Sequence, residues 1–159
     1  MNLRRWWVQR VARWYYLRGE AHRHLGNARG DVWEHWAAVE DFTRALVLDP
    51  TLTQIYVDRG ILYWRELGEP QKALCDFNAV LEAHPPGAAY PADTAYPQDT
   101  PYRDAALFNR GIAYQQLGDD AAALADFRAY LEVGTHSHWR EYAQRMLVEL
   151  ANEPDEEGQ

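Results

Sequence analysis

One phrase is written three times along this chain. Arg18-Gly19, Leu25-Gly26, Ala38, Asp41-Phe42, Ala45-Leu46 and Pro50 come first. Arg59-Gly60, Tyr63, Leu67-Gly68, Ala73, Asp76-Phe77, Leu81 and Pro85 come second, and Arg110-Gly111, Tyr114, Leu117-Gly118, Ala123, Asp126-Phe127 and Leu131 third. Nine residues separate Gly68 from Phe77 and Gly118 from Phe127, and four separate Ala from Phe in every copy. Repetition at this scale restricts a chain to stacked units, because a single unit cannot bury its own apolar face.

Each copy reads as two amphipathic helices. Tyr56, Arg59, Gly60 and Tyr63 recur at helical spacing, as do Leu107, Arg110, Gly111 and Tyr114. Ala73, Phe77, Val80 and Leu81, and Ala123, Phe127, Tyr130 and Leu131, mark the second helices. Gly26, Gly68 and Gly118 are expected at helix C-caps, where φ is positive. Pro50, Pro85 and Gly134 end the second helices. A glycine inside a helix costs about 1 kcal/mol against alanine. Its recurrence in each first helix therefore predicts a close approach to the second helix and its small Ala. An Arg beside that contact is partly buried and needs an acceptor. The expected pairs are Arg18 with Asp41, Arg59 with Asp76 and Arg110 with Asp126.

The order Tyr15, Arg18-Gly19, His22, Ala38, Phe42, Ala45 and Pro50, with the two later sets, resembles the tetratricopeptide repeat over residues 12 to 134. His22 stands where the family usually has Tyr, and Val80 and Tyr130 where it has a small residue. The resemblance implies an all-α, right-handed solenoid of three helix-turn-helix repeats, at about 12–50, 53–85 and 101–134. A C-terminal capping helix over 138–151 completes one domain, residues 1–151, with Ser137 as its expected N-cap. The acidic tail, 152–159, is expected to be disordered.

The repeats are unevenly spaced: 41 residues lie between Gly19 and Gly60, and 51 between Gly60 and Gly111. One insertion falls at about 27–35, where Asp31 and Glu34 suggest a capping box and a second helix starting near Val32. Trp33 and Trp36 then either cover the end of the core or form an exposed docking point. The other insertion, 86–100, is a Pro- and Tyr-rich loop with Tyr90 and Tyr96 expected to pack back on the solenoid. Thr100-Pro101 is expected to open the third repeat.

Chemistry-bearing constellations are scarce. Ser137 is the only serine, Cys75 the only cysteine, and His22 and His24 point apart on a helix. Cys75 is expected beside the repeat core as a structural thiol. No phosphate-binding glycine loop is present. The expectation is a non-enzyme without metal or cofactor. A net charge of −8 argues against a nucleic-acid partner. No run of about 18 apolar residues exists, and the reading is cytoplasmic.

Function in the resembled family resides on the groove lined by the first helices. The corresponding positions are Tyr16, Glu20 and Arg23; Val57, Ile61, Trp64 and Arg65; and Phe108, Ile112 and Gln115. Val57, Ile61, Trp64, Phe108 and Ile112 are expected to form an exposed apolar strip, with Tyr16, Trp64 and Phe108 as anchors for a protein or peptide partner. The family's chaperone adaptors clamp a C-terminal carboxylate. The matching positions here hold Tyr16, Glu20, Asp58, Ala105 and Asn109, so no such clamp is expected. Leu3, Trp7, Trp14 and Leu17 form a second apolar stripe, interrupted by Arg10. It either packs as an N-terminal cap, mediates homo-oligomerisation or another partner contact, or lies on an anionic membrane.

Overall fold

The structure is a computed structural model that describes residues 3–83 and 100–150. The chain forms α1 (Leu3–Arg29), α2 (Val32–Leu48), α3 (Thr53–Ile61) continuing as a π-helical turn (Leu62–Glu66), α4 (Pro70–Ala83), α5 (Thr100–Gln116), α6 (Asp120–Val133) and α7 (Ser137–Glu149). Three antiparallel hairpins, α1–α2, α3–α4 and α5–α6, stack in chain order into an all-helical solenoid, and α7 packs on the last.

The glycine of each first helix explains the pairing. A Cβ on Gly19 would sit 2.6 Å from the Phe42 ring, one on Gly60 2.6 Å from Phe77, and one on Gly111 2.7 Å from Phe127. Each ring fills the space that the missing side chain leaves, and all three are fully buried. Burying such a side chain contributes about 1.5–3 kcal/mol, which outweighs the helix cost of the glycine.

The three hairpins differ in length around this shared contact. Gly111 and Phe127 are 16 residues apart, Gly60 and Phe77 are 17, and Gly19 and Phe42 are 23. The single extra residue of the middle hairpin is absorbed in the π turn, where the Leu67 N–H reaches the Leu62 carbonyl at 3.1 Å. The seven extra residues of the first hairpin are shared between α1 and α2. Seven residues later than Gly19, Gly26 meets His35, which lies seven before Phe42, and the glycine-to-ring contact is repeated. Gly26 is therefore a packing glycine inside α1 and not its C-cap. The positive φ falls on Gly30 (65°), beside Gly68 (66°) and Gly118 (75°).

Other expectations are corrected locally. Asp31 caps α2 by accepting from the Trp33 N–H at 2.9 Å, but Glu34 does not close the box. Its carboxylate lies 2.6 Å from His22 Nδ1 instead, and the Asp31 N–H is taken by the Gly26 carbonyl. His136, not Ser137, is the N-cap of α7. Cys75 is exposed, because its neighbours Asp76 and Phe77 take the buried side of α4. Trp36 packs edge-on to Tyr63, 6.4 Å between centroids, whereas Trp33 is 77% exposed. α1 does extend to Leu3, but Trp7 and Trp14 lie in the open. Tyr90, Tyr96 and the acidic tail lie outside the described residues.

All three Arg–Asp pairs form. Arg18 Nε is 2.5 Å from Asp41 Oδ2. Arg59 donates to Asp76 at 2.9 and 2.6 Å, and Arg110 to Asp126 at 2.7 Å twice. These are two-point contacts in which the planar guanidinium matches the carboxylate. A further N–H joins successive hairpins: Arg59 reaches Thr43 Oγ1 at 2.8 Å and Arg110 reaches Asn78 Oδ1 at 2.6 Å. Thr43 and Asn78 each follow the core Phe of the preceding hairpin. Burial pushes the Asp76 carboxyl up, and Arg59 holds it back.

Candidate functional site

The first helices α1, α3 and α5 are tied together by polar rungs. On the first rung, Tyr16 of α1 donates to Asp58 Oδ2 of α3 at 3.2 Å, and Gln54 Nε2 donates to the Tyr16 hydroxyl at 2.5 Å. Tyr102 of α5 donates to Gln54 Oε1 at 3.0 Å, carrying the chain across all three helices. On the second, Trp64 Nε1 donates to Asn109 Oδ1 at 3.2 Å. On the third, Gln115 bridges to α7, accepting from the Tyr142 hydroxyl at 3.1 Å and lying 3.2 Å from Met146 Sδ.

The first rung carries net negative charge. Glu20 lies one turn beyond Tyr16 and is paired with Arg23 through contacts of 2.9 and 2.5 Å. Burial lifts the Asp58 carboxyl to about 6, and the charge of Glu20 adds to the rise. Arg23 and the bonds from Tyr16 and Gln54 work against it. Burial, with Asp58 and Glu20 nearby, likewise holds the Tyr16 phenol well above its usual range. A further anion placed here meets two carboxylates, whereas a cation relieves them.

The expected apolar strip is only partly open. Val57 is buried against Ala73, Phe77 and Ala106 at the joint between the second and third hairpins. Phe108 is buried under α7, stacked on Trp139 with centroids 4.8 Å apart and planes 3° from parallel, and flanked by Tyr130. Both therefore drop out of the exposed strip, and Phe108 out of the anchors, because the next helix in the stack covers the positions they occupy. Tyr16, Ile61, Trp64 and Ile112 remain half-buried, and Arg65 is exposed. Trp64 and Tyr16 are the anchors left with part of their surface free, Trp64 beside Ile61 and across from Asn109.

Tyr102 was not anticipated. Two turns ahead of Asn109 on α5, its signal is a lone Tyr just after Thr100-Pro101, indistinguishable from core Tyr by spacing. Among the described residues, no group of three or more His, Cys, Asp or Glu side chains is placed to hold a metal ion. No helix among them is long and apolar enough to cross a membrane.

Residues 104–133, which run from the first turn of α5 to the end of α6, match the family model described as tetratricopeptide repeat. Among solved structures the chain is similar to the TPR domain of Arabidopsis OM64, at 19% identity and a TM-score of 0.69, covering 89% of this chain and 98% of that one. It is similar to the first TPR of Spaghetti (RPAP3) bound to the HSP90 peptide SRMEEVD, at 18% identity and 0.59, over 86% and 95% of the two chains. A tetratricopeptide repeat protein from Parabacteroides merdae shares 28% identity at a TM-score of 0.61, over 86% of this chain and 45% of its own length. No curated protein sequence matches the chain.

Proposed function

We propose that this chain, one stretch of which matches the tetratricopeptide repeat and whose fold is that of TPR domains, is a non-catalytic protein-interaction module, an adaptor or assembly factor. Its first helices form the groove for a peptide or helix of the partner. One observation supports this most directly. Half-buried Trp64 and Ile61 border an acidic rung, Glu20 and Asp58, on the side of the stack where the first helices meet. An apolar foothold beside two carboxylates that share one arginine, Arg23, suits a segment with a hydrophobic residue and a Lys or Arg a turn away.

The charge of that rung also separates this groove from one that receives an acidic tail. The relative seen with SRMEEVD holds an anionic peptide, and Tyr16, Glu20 and Asp58 stand against such a ligand here. Selection of a displayed random-peptide library against the full chain tests the reading. Enriched peptides are expected to carry an aromatic or branched apolar residue with Lys or Arg, to weaken about tenfold or more with Trp64→Ala, and to lose their basic residue in selections against Glu20→Gln. Enrichment of acidic C-terminal sequences, or calorimetric binding of SRMEEVD itself, would overturn it.

A further inference from the structure

The outward face of α1 carries a separate surface. Leu3, Trp7, Trp14 and Leu17 are 67%, 59%, 52% and 55% exposed, and their spacing of four and seven puts them on one side of the helix. Ala12, Gly19 and Gly26 occupy the opposite side and pack on α2. The stripe therefore points away from the protein, and it runs about 21 Å along the outermost helix of the stack. Trp6 and Val11 lie exposed at its edges.

Charge narrows what can cover it. Residues 1–19 hold five arginines and no acid, while the remaining eleven basic residues of the chain face 24 acidic ones. Arg10 and Arg13, on and beside the stripe, are exposed, and the Arg10 guanidinium rests 4.7 Å from the Trp6 ring centre. A second copy is a poor occupant. The stripe is centred near residue 10, so antiparallel pairing of two α1 helices brings Arg10 up to its own copy and basic helix against basic helix. The surface wanted is flat, apolar beneath and negative at its rim.

We propose that α1 docks side-on to an anionic lipid surface, with Trp7 and Trp14 at headgroup depth, Leu3 and Leu17 below them, and the arginines on lipid phosphates. Tryptophan favours this interface because one molecule offers both an apolar ring and an N–H. Basic amphipathic helices bind it by summing apolar burial and attraction to anionic headgroups. The acidic remainder of the protein is repelled by the same surface, which leaves one docking orientation and keeps the groove of the first helices free.

The test is co-sedimentation of the full chain with vesicles of phosphatidylcholine alone and of phosphatidylcholine mixed with phosphatidylglycerol. Binding is expected to the mixed vesicles only, and to fall with added salt. It should drop about tenfold or more in Trp7→Gln/Trp14→Gln, which removes the rings, and in Arg10→Glu/Arg13→Glu, which keeps them. All four positions are exposed, and unchanged helical circular dichroism and melting temperature verify the fold. Four results would each sink the idea: no binding to the mixed vesicles, equal binding to both kinds, either variant binding undiminished, or a concentration-dependent dimer that the tryptophan pair abolishes without any vesicle binding. An acidic protein partner for this face would appear as the first of these.

Discussion

At the C-terminal end of the stack, α7 lays Trp139 on Phe108 and buries Ala143 and Met146. At the N-terminal end, α1 turns Trp7 and Trp14 outward, each more than half exposed. Both ends are made by the same kind of helix. Trp139, Ala143 and Met146 recur with the spacing of Leu107, Gly111 and Tyr114, so α7 is built like a first helix. It carries Ala where the others carry Gly, and among the described residues no Phe ring of a following helix comes down on it. Half a unit is thus enough to close a solenoid when it lies on the following side. On the leading side the first helix shows an apolar face that no other described helix covers.

The arginines register the same difference. Arg59 and Arg110 each spend a third N–H on the hairpin before them. Arg18 heads the stack, and its guanidinium lies 4.5 Å from the centre of the Trp14 ring.

Trp139→Ala should give the largest effect, a loss of about 3–5 kcal/mol in urea unfolding from exposing the stacked cluster. Trp14→Ala should stay within about 0.5 kcal/mol. Equal losses at both ends would erase the distinction between a closed and an open end. Next, Asp126→Ala should cost about 3 kcal/mol by leaving Arg110 half-buried without its carboxylate. Adding Arg110→Met should recover part of that loss, and additive costs in the double-mutant cycle would reject the pairing. The same cycle at Arg18 and Asp41 should show weaker coupling, since Arg18 is more exposed.

A smaller shift than those at Trp139 and Asp126 lies between the ends, and its sign is opposite. Asp58 titrates near 6 in the fold, above the 3.8 of a free carboxyl. The folded state therefore holds its proton more tightly, and stability falls as pH rises from about 4 to 7. Asp58→Asn should stabilise by about 1–2 kcal/mol at pH 7 and by nothing at pH 4. A gain that persists at pH 4 would assign it to packing and not to the buried charge.

Hairpin pairing was legible in the sequence because it is periodic. Arg-Gly on each first helix and Asp-Phe on each second recur as paired residues, and the contacts of Gly with Phe and of Arg with Asp follow from that. Contacts between units do not. Phe108 reads as a groove residue until α7 is seen lying on it, and Val57 until Ala106 arrives beside it. Nothing in the spacing of α5 says which of its faces the next helix will cover. Gly26 misled for a different reason. A Leu-Gly pair looks like the Leu67-Gly68 and Leu117-Gly118 turns, and only the ring of His35 shows that it repeats the contact made by Gly19.

That repeated contact makes the hairpin a ruler graduated in sevens. Seven added residues divide as about one turn per helix, the same faces meet again, and a glycine and a ring are all that the new level requires. An increment of one falls between graduations and has to be stored as a local defect, as it is in the turn at Leu62–Glu66. Units of this architecture can therefore grow taller than their neighbours in whole steps without disturbing the joints of the stack. The first unit, one step taller, raises its Trp33 tip above the level where the others end.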